Sequence, residues 1–256
     1  ALLAPWPNRL RDGRYTFDGV TYQVDISEPP TRTALHGLVM WQRWRVVESD
    51  DADHRRGAAV TLELRLPASG GYPFDLLLRV TYRLGDAGLH VRATATNLGD
   101  RPAPYGVGFH PWLSPGPGTL DECTFQLDAA TRVLVDERLL PVGTEPASGD
   151  YDLRAPRRAR GLDLDDAYLD PIRDEDGLSW ARLTGPDGRT AAVWMDRTMD
   201  CWQVCSGDHI DAVPYRRTGM AAEPMSCIAD AFRTGERLVV LQPGQTHEVT
   251  WGATLL

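Results

Sequence analysis

The sequence contains no lysine: its 27 basic residues are all arginine. Schiff-base chemistry on sugars or keto acids needs a lysine amine, and a phosphate-binding P-loop needs its lysine, so both are excluded. Basic residues are also outnumbered, with 36 acids and a formal net charge of −9, which argues against an electrostatic nucleic-acid binder. Apolar runs are short throughout. None approaches the ~20 residues needed to cross a bilayer as a helix, so no membrane span is expected. The opening residues, Ala-Leu-Leu-Ala-Pro-Trp-Pro-Asn-Arg, lack the charged start and long apolar centre of a secretion signal, and the chain reads as cytoplasmic. Cysteine is scarce, with four in 256 residues (Cys123, Cys201, Cys205, Cys227), too few for a disulfide scaffold of this size. Cys201 and Cys205 flank an expected strand segment and would stand about 13 Å apart, too far to bridge each other. Buried thiols are expected instead of a metal site.

What is present is period-two alternation. Segments 14–17 and 20–24 flank Asp18-Gly19, the strongest short hairpin signal. Residues 59–66 alternate Val60, Leu62, Leu64, Leu66 against Thr61, Glu63, Arg65. Segments 77–84 and 89–96 are joined by Gly85-Asp86-Ala87-Gly88, and 179–183 and 190–195 by Gly185-Pro186-Asp187-Gly188. Segments 237–241 and 247–254 flank Gln242-Pro243-Gly244-Gln245. Helical periodicity is weak, and 24 glycines with 19 prolines punctuate the chain. The pattern predicts an all-β protein, a large antiparallel sandwich with few or no helices, in a single domain over 1–256. The arginine-rich run 154–160 falls in a long irregular stretch, 141–162, read as a surface loop.

Six histidines are present. His54 lies in a charged run that reads as a solvated loop, His90 and His247 lie within expected strands, and His209 lies in a loop beside Asp208. Structural or surface roles are expected for these four. His36 and His110 differ. His36-Gly37 ends a loop ahead of Trp41-Gln42-Arg43-Trp44, and His110 precedes Pro111, as Glu223 precedes Pro224. A proline disfavours the helical region for the residue before it, so an imidazole and a carboxylate both start from extended, stiffened backbone. Both types exchange protons near neutral pH.

Pro7-Asn8-Arg9-Leu10, Leu35-His36-Gly37, Gly108-Phe109-His110-Pro111-Trp112, Leu164-Asp165-Asp166-Ala167-Tyr168 and Glu223-Pro224-Met225 occur in the order of the motifs of the aldose 1-epimerase (galactose mutarotase) family, and the sequence resembles that family. Each piece alone is unspecific; together they cover nearly the whole chain. The resemblance implies the galactose mutarotase-like supersandwich and interconversion of the α and β anomers of a free aldose, with no metal and no organic cofactor. It casts Glu223 as the base at the anomeric hydroxyl and His110 as the acid at the ring oxygen. It also casts His36 as a hydrogen-bonding partner near that oxygen, and Arg9 and Asp165 (or its neighbour Asp166) as ligands of ring hydroxyls. Trp202 is expected to offer an aromatic face to the sugar, in competition with Trp41, Trp44 and Trp112. The partner is then a small sugar, and the protein a monomer or homodimer.

The sequence departs from the family pattern in three places. Family members usually carry strands ahead of the Asn-Arg segment, so the first strands are expected to be either missing or trimmed here. Leu38 stands where a second glycine is common, and Asp166 where histidine often follows the aspartate. Two other readings use the same residues: a hexose-6-phosphate 1-epimerase drawing on the 154–160 arginines, or a carbohydrate-binding protein of the same fold without catalysis. A glycoside hydrolase fits less well, because hydrolases pair two carboxylates. As acid and base, His110 must be protonated and Glu223 ionised, which implies a bell-shaped pH dependence.

Overall fold

The computed structural model describes residues 1–53, 57–114, 116 and 118–256, so the reading of His54 lies outside the described residues. Strands dominate, and the one α-helix among the described residues is the four-residue Ala231–Thr234. Among the described residues no helix is long and apolar enough to cross a membrane. The chain gathers into two compact units threaded back and forth: Ala1–Phe109, Val135–Pro141 and Met225–Thr250 in the first, and His110–Leu134, Val142–Pro224 and Trp251–Leu256 in the second.

In the first unit the expected hairpins are present. Arg14–Phe17 pairs with Val20–Gln23 across Asp18 and Gly19, both at positive φ (49° and 73°), which a two-residue turn matching the strand twist requires. Leu76–Gly85 pairs antiparallel with Gly88–Asn97 and, on its other side, with Gly57–Leu66. The interior is aromatic: Trp6, Tyr15, Tyr72 and Phe74 are buried with Phe232, whose ring lies 5.0 Å from Tyr15 and 5.4 Å from Trp6.

The last expected pairing is corrected. Val239–Leu241 pairs with Ala103–Tyr105 and not with Thr246–Leu255. Asn97 is the reason. Buried to 1% exposure, it donates from its side chain to Leu241 O, donates its backbone N–H to Gln245 O and accepts from Gly244 N–H. Its occupation of the turn holds the two arms apart.

The second unit holds two antiparallel sheets. In one, Arg157–Arg158, Thr124–Leu127, Ser179–Thr184 and Thr190–Met195 follow in order, and the last pairs with residues 251–255. The other runs Met220–Met225, Cys201–Cys205, Asp165–Pro171, Ala129–Val135, Pro141–Pro146, with Trp112–Leu113 also paired to Met220–Met225. Trp202 joins the two: fully buried, it donates its indole N–H to Ser179 Oγ at 3.0 Å. The stretch 141–162, read as a loop, instead contributes the strands Pro141–Pro146 and Arg157–Arg158. Ala147, Leu153 and Ala159 are buried there, and Leu127 N–H donates to Leu153 O. Burial of these small and apolar side chains outweighs the segment's turn-rich composition. No disulfide joins the four cysteines, and all are buried.

Candidate active site

Side chains alternate across a strand, so register decides which residues meet. In the second unit Asp165 lies opposite Cys205, Asp166 opposite Val204, Ala167 opposite Gln203, and Tyr168 opposite Trp202. Asp165, Gln203 and Cys205 therefore share one face, and Asp166, Val204, Tyr168 and Trp202 the other. Trp202 faces the second sheet and belongs to the core. The expectation that Trp202 stacks on a sugar is thus corrected: its two faces are packed and its N–H is committed to Ser179. The choice between the aspartates resolves the same way. Asp166 is bound by Arg132 Nε at 2.7 Å, and that guanidinium lies 3.2 Å over the Tyr151 ring, a structural tie on the core side. Asp165 accepts from Gln203 Nε2 at 2.7 Å on the opposite side.

Glu223 sits in Met220–Met225, a strand buried at every position, and is itself 2% exposed. Trp112 lies opposite Ala221, so Trp112 and Glu223, two residues on, share a face. His110 Nε2 stands 3.3 Å from Glu223 Oε1. The two proline-preceding residues are thus brought together, one strand over from Gln203 and Cys205. Burial, with the nearby Asp165, Glu223 and Asp208 carboxylates, pushes the Cys205 thiol up to about 12, so it stays a thiol and is no nucleophile. Burial pulls His110 down to about 4, against the pull of Asp165 in the other direction. Its imidazole is neutral in the resting protein at pH 7.

The first unit brings Arg9 and His36 to one place. Arg9 lies opposite Leu35 in the pairing of Arg9–Arg11 with Thr33–Leu35, and its guanidinium grips Glu28 in a fork, Nε–Oε2 2.8 Å and Nη2–Oε1 3.0 Å. Burial raises the Glu28 carboxyl, but hydrogen bonds from Arg9, Thr31 and Thr33 outweigh it and hold the group at about 2. His36 sits at φ 63°, and Asn8 N–H donates to its Nδ1 at 3.2 Å, which puts the ring proton on Nε2.

Two supporting residues escaped the sequence reading. Gln203, the single polar residue in Cys-Trp-Gln-Val-Cys, orients Asp165, and a lone amide in an apolar strand was the available signal. Glu28, which fixes Arg9, precedes Pro29 in Ser27-Glu28-Pro29-Pro30, the same mark that Glu223 carries, but no family motif accompanies it.

The sequence profile of the aldose 1-epimerase family matches residues 1–253, in one match that takes in both units. The chain belongs to the aldose 1-epimerase family. It is 33% identical over 250 residues to the uncharacterized protein YihR of Escherichia coli strain K12, covering 97% of this chain and 76% of that protein. Among solved structures it resembles a galactose mutarotase-like protein from Clostridium acetobutylicum, with a TM-score of 0.85 at 18% identity over 100% of this chain and 78% of the other. It also resembles the galactose 1-epimerase of Lactobacillus acidophilus NCFM, with a TM-score of 0.83 at 18% identity, over 100% and 79% respectively. At such identities the likeness establishes the fold. Family membership makes a sugar the substrate class and isomerisation the chemistry of this epimerase family.

Proposed function

We propose that this epimerase interconverts the α and β anomers of a free aldose by opening and reclosing the ring. The observation that carries the reading is the His110–Glu223 contact, 3.3 Å between a half-buried imidazole and a fully buried carboxylate, with the Asp165 carboxylate acting on the same imidazole. Glu223 takes the proton of the anomeric hydroxyl. As the C1 carbonyl forms, the bond from C1 to the ring oxygen breaks, and that oxygen takes a proton from His110. Rotation about C1–C2 and the reverse transfers deliver the other anomer, returning both residues to their starting forms. No external oxidant or cofactor enters the balance. Asp165 binds a ring hydroxyl as an acceptor. The enzyme is read as cytoplasmic, a monomer or homodimer.

Because burial disfavours the imidazolium, the acid form of His110 is a minor species at pH 7, and the neighbouring Glu223 carboxylate stabilises it when it forms. The arginines of 154–160 do not favour a phosphorylated substrate. Arg154 and Arg157 are paired with Asp152 and Asp150, and Arg157–Arg158 edges the sheet that does not carry His110 and Glu223. Polarimetry or NMR on a panel of pure α-aldoses, with glucose 6-phosphate alongside glucose, tests the reading. Accelerated equilibration of a free aldose is the expected result. Binding without acceleration, or acceleration of the phosphate alone, would refute it.

A further inference from the structure

Trp112 is 43% exposed, yet its indole lies close to parallel to the His110 imidazole, with centroids 5.9 Å apart and planes 20° apart. A large aromatic left half in solvent beside the acid is not a core residue. Its backbone is fixed on both sides: Trp112 lies opposite Ala221 and Leu113 opposite Met220, while Ala222 N–H donates to Pro111 O at 3.2 Å. Gly207, at φ 74°, borders the edge of the indole: a Cβ there would come 3.2 Å from Trp112 Cη2 and 3.1 Å from Ile210 Cδ1. That glycine belongs to a stiff segment. Ser206 Oγ accepts from Leu164 N–H at 2.9 Å and donates to the Asp208 carboxylate, and Arg217 Nη1 holds Asp208 at 2.7 Å.

We propose that Trp112 is the positioning residue of His110: lying nearly parallel to the imidazole and bordered by Gly207 at its edge, its indole sets the orientation of the acid and shields it from water. The inference rests on the reading of His110 as proton donor. Within this unit the charged or titratable groups bearing on His110 are Glu223 on Met220–Met225, Asp165 on Asp165–Pro171 and His209 on the loop after Cys201–Cys205. A change at Trp112 removes none of them, so a shift in His110 behaviour on that substitution reports the indole.

The test is an NMR titration of the His110 Cε1 proton, with kcat and KM, in wild type, W112F, W112A and G207A. In W112A water reaches the ring, so His110 titrates nearer the ordinary histidine value, and kcat falls about tenfold or more with a smaller change in KM, as misorientation of a catalytic group does. W112F keeps a stacked ring and retains most of both properties. G207A, whose Cβ would crowd Ile210 Cδ1 at 3.1 Å and Trp112 Cη2 at 3.2 Å at a strained φ, shifts both readouts in the W112A direction without changing residue 112, and carries the test should W112A not fold. A His110 titration unchanged in W112A or G207A overturns the proposal, whatever the activity. An inactive wild type would instead refute the assignment of function, while the titration still decides the role of Trp112.

Discussion

Lowering the pH should destabilise this protein through His110, by an amount that follows from its burial. The group titrates near 6.5 in the unfolded chain and is pulled down to about 4 in the fold. Below 6.5 the unfolded chain takes up a proton that the folded protein refuses, so stability is lost as pH falls from 6.5 to 4 and levels off below. At about 1.4 kcal/mol per pH unit of displacement the full loss is about 3 kcal/mol. Titrating carboxylates contribute to acid sensitivity as well, and a comparison with H110N removes them, because asparagine keeps polarity without the titration. Urea unfolding at steps between pH 7.5 and 4, by fluorescence of the eight tryptophans, measures the difference. Wild type should lose up to about 3 kcal/mol more than H110N over that interval, with the gap opening below pH 6.5. Parallel stability profiles would show that the imidazole is not held neutral by burial, and the reasoning about the acid would fall with it.

The same displacement predicts the activity profile: kcat/KM, which reports the free enzyme, should lose its basic limb below the ordinary histidine value, declining as pH rises through neutrality. A basic limb at or above 6.5 would contradict the downward displacement of His110, and the absence of any basic limb would contradict the need for its protonated form. Q203L should raise KM about tenfold or more while leaving kcat within a few-fold, because the lost hydrogen bond to the Asp165 carboxylate is worth about 1.5–3 kcal/mol; Michaelis kinetics on the best aldose decide it. W202A should cost about 3–5 kcal/mol in urea unfolding, the range for a buried aromatic, and a loss of activity without that loss of stability would restore Trp202 as a sugar platform.

How far these residues could be read in advance depended on whether the signal was local. The hairpin at Asp18-Gly19 was legible because two adjacent positive-φ positions select those residue types. Its counterpart at 242–245 misled, since the residue that holds its arms apart is Asn97, remote in sequence. The candidate acid and base were marked by their following prolines. The face each side chain takes was not, because one residue of register moves a side chain across the sheet. That step alone separates Asp165 from Asp166 and turns Trp202 from the expected sugar platform into a core residue bonded to Ser179. Burial of His110 was likewise invisible, as it depends on strands brought together from distant parts of the chain.

The central claim is that Glu223 removes the anomeric proton. Glutamine at that position keeps the shape and the contact with His110 but cannot accept a proton, so the decisive measurement is the rate at which E223Q equilibrates a pure α-aldose against wild type, followed by polarimetry. A fall of at least a hundredfold in kcat, within the ~10²–10⁴-fold contributed by general acid–base catalysis, with folding unchanged by circular dichroism, is the predicted result. Equilibration by E223Q at the wild-type rate would contradict it.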